Sequence, residues 1–116
     1  QINLHALLLE REEMDAGVVQ QIRTALTEAT SQFRALREAA DHLEIRLANG
    51  KGDADVLKLK IGICSFFLGR MDRSADLLSE AKTPLGKFYY GLALNEVGRY
   101  EQAIEALDNA AKAGYA

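Results

Sequence analysis

The sequence predicts an all-α fold, with one long N-terminal helix followed by helical hairpins that repeat. Three observations carry this reading. Ala, Leu, Glu and Arg dominate, β-branched residues are sparse and Pro84 is the only proline, a composition that favours helix throughout. Apolar residues recur at steps of three and four over long stretches, the period of one helix face. Finally, Lys58–Ala81 superimposes on Lys87–Ala110 without a gap, a shift of 29 residues (87 − 58). The one short segment with strand-like alternation is "LKLKIGI", Leu57–Ile63.

Bulk properties narrow the function classes. The chain has 116 residues, the size of one ordinary domain, and is 48% hydrophobic, enough to bury a core. Its 14 basic and 17 acidic residues are interspersed and give a net charge of −3. Nucleic acid and anionic membranes both call for a clustered Lys/Arg face, so neither is expected as a partner. Apolar runs such as "ALLL" are too short to cross a bilayer. A lone Cys64 forms no internal disulfide, which suits a reducing, cytoplasmic setting and is compatible with export as well. The start at Gln1 rather than Met points to a removed leader or to a piece of a longer protein.

The elements follow in order. Residues 1–14 carry Leu4, Leu7 and Leu8 ahead of the charged run "EREE", which fits a short amphipathic helix or an extended arm. Asp15 is placed to cap the next helix. From there the apolar residues Val19, Ile22, Leu26, Ala29, Phe33, Leu36, Ala40, Leu43 and Leu47 alternate steps of three and four without a miss. This is an a/d heptad seam, and it predicts one helix over about residues 16–48, about 50 Å long at the usual rise of about 1.5 Å per residue. The seam admits a coiled coil and so a homo-oligomer through residues 19–47. Val18, Ala25 and Ala39 widen the stripe, however, and a wide stripe favours packing against the chain's own domain or a sister copy. "NGKGDAD", Asn49–Asp55, then reads as a turn in which Asp53 or Asp55 caps the following helix. It has neither the spacing of a phosphate loop nor that of a calcium loop.

This divides the chain into an N-terminal segment, residues 1–50, and a repeat region, residues 51–116, with units at about 54–82 and 84–114. Each unit reads as helix, glycine turn, helix. Gly69 and Gly98 stand where a left-handed residue ends the first helix. Gly62 and Gly91 lie inside that helix, where glycine costs about 1 kcal/mol relative to alanine. Such a glycine implies a close neighbour, and Ser74 and Ala103 are the small residues expected to provide it. Thr83 and Pro84 start the second unit as cap and first-turn residue. The second helix of that unit is expected to bury Tyr100, Ala103, Ile104, Leu107, Ala110 and Ala111.

Gly91, Gly98, Tyr100, Ala103, Leu107 and Ala110 together resemble the tetratricopeptide repeat (TPR). Gly62, Gly69, Met71, Ser74, Leu78 and Ala81 resemble it more loosely. The resemblance covers about residues 54–116. It departs from the family in three ways. Lys58 and Lys87 replace a large aromatic residue, the period is 29 residues against the family's 34 or so, and there are only two units, so the long helix is expected to act as a cap.

What the resemblance implies is a scaffold or adaptor that binds a protein, as a peptide or an amphipathic helix, in a groove lined by the first helix of each repeat. Carried over residue by residue, the groove would show Leu59, Ile63, Phe66 and Phe67 from the first copy and Phe88, Leu92, Asn95 and Glu96 from the second. The Lys/Asn pair of the family's carboxylate binders is replaced by Leu59/Ile63 and Phe88/Leu92, so that activity is not implied. The Phe66–Phe67 pair is either open to a partner or covered by residues 19–47 of the same chain. Gly114 stops the last helix where a third repeat would begin, which keeps open an assembly or regulatory segment of a larger multidomain protein.

No catalytic, metal or cofactor set is expected. His5 and His42 have no ligand partners at metal spacing and read as surface residues. Cys64, which aligns with Ala93, reads as a small packed side chain. Tyr89 and Tyr90 should divide between core and groove.

Overall fold

Every regular element among residues 1–115, which the computed structural model describes, is helical. A short N-terminal helix, of which Ala6–Glu10 wind as a π-helix, is followed by α1 (Ala16–Glu28), α2 (Ser31–Ala48), α3 (Ala54–Phe67), α4 (Met71–Leu78), α5 (Pro84–Glu96) and α6 (Tyr100–Lys112). From α2 onward each helix packs on the next in chain order, and α3 also touches α5. The strand-like "LKLKIGI" lies wholly inside α3.

The local signals for helix starts are obeyed. Asp15 accepts from the Val18 amide at 3.0 Å and opens α1. Asp53 accepts from the amides of Asp55 and Val56 at 2.9 and 3.3 Å and opens α3. Thr83 accepts from the Gly86 amide at 3.1 Å, with Pro84 in the first turn of α5. Each of these side chains satisfies an amide that has no partner within its helix. The two repeat turns close alike. Gly69 and Gly98 hold φ of +80° and +84°. The next amide then reaches back, Arg70 to the Ser65 carbonyl at 2.8 Å and Arg99 to the Leu94 carbonyl at 2.9 Å. This is the six-to-one bond of a helix ended by a left-handed residue.

The single helix expected over 16–48 is two helices. Ala29 is extended, at φ −156° and ψ 136°, and separates α1 from α2. The cause lies in "TALTEATS", Thr24–Ser31. The hydroxyls of Thr24 and Thr27 donate to the carbonyls of Gln20 and Thr24 at 3.0 and 2.8 Å, a competition that weakens a helix from within. The next helix then restarts with short-range bonds from the Gln32 amide to the Ala29 carbonyl and from Phe33 to Thr30, both 3.1 Å. A straight helix of about 50 Å would exceed the longest dimension of the molecule, 36 Å. The break also changes which seam residues are covered. Val19, Ile22, Leu36, Ala40 and Leu43 are buried within the chain itself, whereas Phe33 is 42% exposed.

One core joins the N-terminal segment to the first repeat. Leu4, Leu7, Leu8, Val18, Ile22, Leu36 and Leu43 belong to the same buried cluster as Leu57, Ile61, Ile63, Leu78 and Tyr89. A smaller cluster, Ala75, Ala93, Leu94, Ala103 and Ala106, lies between α4, α5 and α6. Arg73 on α4 grips Glu44 on α2 through two bonds of 3.0 and 2.6 Å.

The helical glycines need a correction. A Cβ on Gly62 would stand 2.6 Å from the Leu78 side chain, and one on Gly91 2.6 Å from Leu107 and 3.2 Å from its backbone nitrogen. The close neighbours are thus the leucines one turn beyond Ser74 and Ala103. Ser74 contributes differently, donating from its hydroxyl to the Gly62 carbonyl at 2.7 Å.

Candidate functional site

The face formed by α3 and α5 is the groove that the sequence marks out, and the chain covers part of it. Leu59 and Ile63 are buried, which overturns their place in an open groove. Phe66, Phe67, Phe88 and Leu92 are half-buried and packed on the main core, and Asn95 and Glu96 are exposed. Arg23 of α1 explains the cover. Its guanidinium donates to the Tyr89 hydroxyl at 3.1 Å and stands 5.9 Å from the centre of the Phe67 ring. Of the Phe66–Phe67 pair, Phe67 carries a residue of segment 19–47, Arg23, over its ring, and Phe66 packs on Phe67 and Tyr89.

Phe66, Phe67, Tyr89, Phe88 and Tyr115 form one continuous aromatic cluster. Phe66 meets Phe67 and Tyr89 edge-to-face at 5.5 and 5.3 Å, and Phe88 meets Tyr89 at 5.4 Å. Tyr115 stacks on Phe88 at 4.2 Å, nearly parallel. These offset and edge contacts suit the ring quadrupoles. The neighbouring tyrosines part company, Tyr89 into the core and Tyr90 to a half-buried position against the smaller cluster. Burial pushes the Tyr89 hydroxyl above the usual tyrosine pKa.

Lys60 is a buried charge that ties the N-terminal helix to α3. It is 3% exposed, yet its ammonium donates to the carbonyls of Leu8 and Arg11 at 2.9 and 2.5 Å. Arg46 donates to the Leu9 carbonyl between them at 2.9 Å. Two cations therefore close the C-terminal end of the N-terminal helix, where carbonyls lack helical partners and carry partial negative charge. Burial, and then the charge of Arg46, hold the Lys60 pKa below the ordinary lysine value. A signal existed in the sequence, since Lys60 aligns with Tyr89 in the repeat and stands between Leu59 and Ile61. Both side chains hold an N-terminal element, Lys60 the first helix and Tyr89 the α1 arginine.

The remaining candidates for chemistry are placed as follows. The exposed rings of His5 and His42 meet edge-to-face at 5.9 Å. Among the described residues no group of three or more His, Cys, Asp or Glu side chains could hold a metal ion, and no helix is long and apolar enough to cross a membrane. Cys64 is fully buried, and burial pushes its thiol up to about 12, far from the thiolate that a nucleophile requires.

No family model matches this chain, and no curated protein or solved structure matches it either.

A different surface is open. On α6 the buried residues are Ala103, Ala106 and Ala110, while Tyr100 and Ile104 are 63% and 69% exposed and Ala111 is exposed too. The expectation that all of these share one buried face is therefore corrected. The apolar arc of α6 is wider than its contact with α5, and Tyr100, Ile104 and Ala111 occupy the uncovered half. Glu101, Glu105 and Asp108 line its outer edge. The 29-residue repeat places Met71 and Ala75 of α4 opposite Tyr100 and Ile104. There the same face is covered: Ala75 is buried in a cluster with Ala93 and Leu94 of α5.

Proposed function

We propose that this chain is a helical-repeat module of the TPR kind whose role is protein–protein interaction, and that it docks an amphipathic helix of a partner protein on α6. The single observation that carries the reading is the contrast between equivalent faces. The α4 face is covered by a helix, and its counterpart on α6 presents Tyr100 and Ile104 to solvent. Two large apolar side chains one helical turn apart are the pattern that helix-in-groove recognition uses. The TPR assignment draws support from the aligned glycines, the matching turn geometry and the two consecutive hairpins.

The partner is expected to be basic along one edge, because three carboxylates border the exposed stripe and Lys112, the one cation of that edge, is paired with Asp108 at 2.9 Å. α6, rather than the α3/α5 groove, is the docking surface, since Arg23 of α1 reaches over that groove and Leu59 and Ile63 are buried.

The test is a titration by NMR with two helical peptides. Both carry a Leu/Ile stripe, one flanked by Lys and Arg, the other by Glu. The basic peptide should shift resonances of α6 and lose its binding to an Ile104→Glu variant of unchanged Tm. Equal binding of both peptides, or binding that survives Ile104→Glu, would remove α6 as the site. Sedimentation of the chain alone separates this from self-association, which would show as a dimer abolished by the same substitution.

A further inference from the structure

Independently of the α6 face, the structure contains an open pocket of about 630 Å³ between the start of α2 and the turn that joins α3 to α4. Its lining is Thr30, Ser31, Phe33, Arg34, Arg37, Leu68 and Arg70. Three arginines thus line one open pocket, and no acidic residue is among its lining. This runs against the background of a chain in which acidic residues outnumber basic ones, 17 to 14.

The other arginines set the comparison. Arg11, Arg23, Arg46 and Arg73 are each bonded at 3.1 Å or less to an oxygen of the chain, whereas Arg99 stands alone and exposed at the start of α6. Among the described residues, Arg34 and Arg37 take part in no ion pair, and Arg70 reaches only Asp41, at 3.9 Å and in solvent. Arg34 and Arg37 are three apart on α2, so they share one side of the helix. Phe33, the seam residue turned out of the core by the break at Ala29, supplies an exposed aromatic wall, and Leu68 a second apolar one. Thr30 and Ser31, whose hydroxyls are neutral donors, complete the lining.

The geometry points to a binding site for a phosphomonoester attached to an apolar or aromatic group. A guanidinium fork matches phosphate oxygens two at a time. A phosphomonoester carries about −1.5 to −2 charges at pH 7, so it draws more from three cations than a carboxylate with one. The ring of Phe33 and the side chain of Leu68 would take the apolar part. The same chemistry is offered by a small phosphomonoester and by a phosphorylated side chain of a partner protein.

The experiment uses the full chain and three probes, followed by NMR and calorimetry: phenyl phosphate, phenylacetate and a short phosphotyrosine peptide with Ala/Gly flanks. Saturable binding of phenyl phosphate is expected, with shifts at Phe33, Arg34, Arg37 and Arg70, and roughly tenfold or weaker binding of phenylacetate. An Arg34→Gln/Arg37→Gln double variant should weaken phenyl phosphate by roughly tenfold or more at unchanged Tm, since both side chains are exposed. An Arg34→Lys/Arg37→Lys variant, which keeps the charge and removes the forks, should fall between. A peptide at least tenfold tighter than phenyl phosphate assigns the site to a protein-borne phosphoryl group; equal affinity assigns it to a small phosphomonoester. Absence of saturable binding of either phosphate probe, equal affinity for phenylacetate, or binding retained by the Gln double variant would each overturn the proposal.

Discussion

The hairpins α3–α4 and α5–α6 are the same idea written twice, and they differ in what surrounds them. Both have a helical glycine pressed by a leucine and a glycine turn closed by the same backward hydrogen bond. The first hairpin is enclosed: α2 packs on α3, α5 packs on α4, and the N-terminal helix is bonded to Lys60. The second has α4 on one side and solvent on the other. Equivalent positions consequently carry different side chains. Lys60 stands where Tyr89 does, Ala75 where Ile104 does, Cys64 where Ala93 does. A repeat motif specifies the fold of its own hairpin, and its neighbours determine which of its faces is interior.

Exchanging or removing residues at these matched positions tests the comparison. The largest effect is expected at Lys60. Lys60→Met leaves the Leu8 and Arg11 carbonyls without their buried donor and should cost about 3 kcal/mol, with loss of N-terminal amide protection in hydrogen exchange. Its counterpart Tyr89→Phe removes one bond to Arg23 and should cost about 1 kcal/mol. Equal losses in denaturant melts would mean that the N-terminal helix is not held by Lys60.

Next comes the pair Ala75 and Ile104. Ala75→Ile forces extra volume into the covered contact between α4 and α5 and should cost about 2 kcal/mol. Ile104→Ala, on the open face, should stay within about 0.5 kcal/mol of the parent. A large loss for Ile104→Ala in urea melts would show that this face is covered in solution.

The smallest effect separates Cys64 from Ala93 through pH. In the folded chain burial holds the thiol protonated up to about 12, against an ordinary 9.0 once unfolded. Between those values the folded state binds more proton than the unfolded one, so this group's contribution to stability falls as pH rises. The loss reaches about 1.4 kcal/mol by pH 10. Cys64→Ala should flatten the stability profile from pH 9 upward by that amount. An unchanged profile would place the thiol in contact with water.

Much of this architecture is legible in the sequence because it is local. Asp15, Asp53 and Thr83 cap the helices that they precede, since a cap needs only its own side chain and the next few amides. Gly69 and Gly98 close turns because a left-handed backbone is nearly free of cost only for glycine. The break at Ala29 was harder to read. The heptad steps run through it undisturbed, and the hydroxyls that undo the helix are ordinary surface residues in any periodicity. The aromatic surface of α3 and α5 was visible as residues, yet its cover was not, because Arg23 lies far along the chain from Tyr89 and Phe67.

The sequence by itself determined that this chain is helical, where most of its helices begin and end, and that two of its hairpins are copies. Those features rest on interactions within a few residues. Only the tertiary structure decided that the heptad segment folds as two helices against one core, that Arg23 of α1 reaches over the α3/α5 face, and that a buried ammonium holds the N-terminal helix. It also left Tyr100 and Ile104 facing solvent. Burial is a property of what packs on a helix rather than of the helix, and a single amphipathic pattern is compatible with several neighbours.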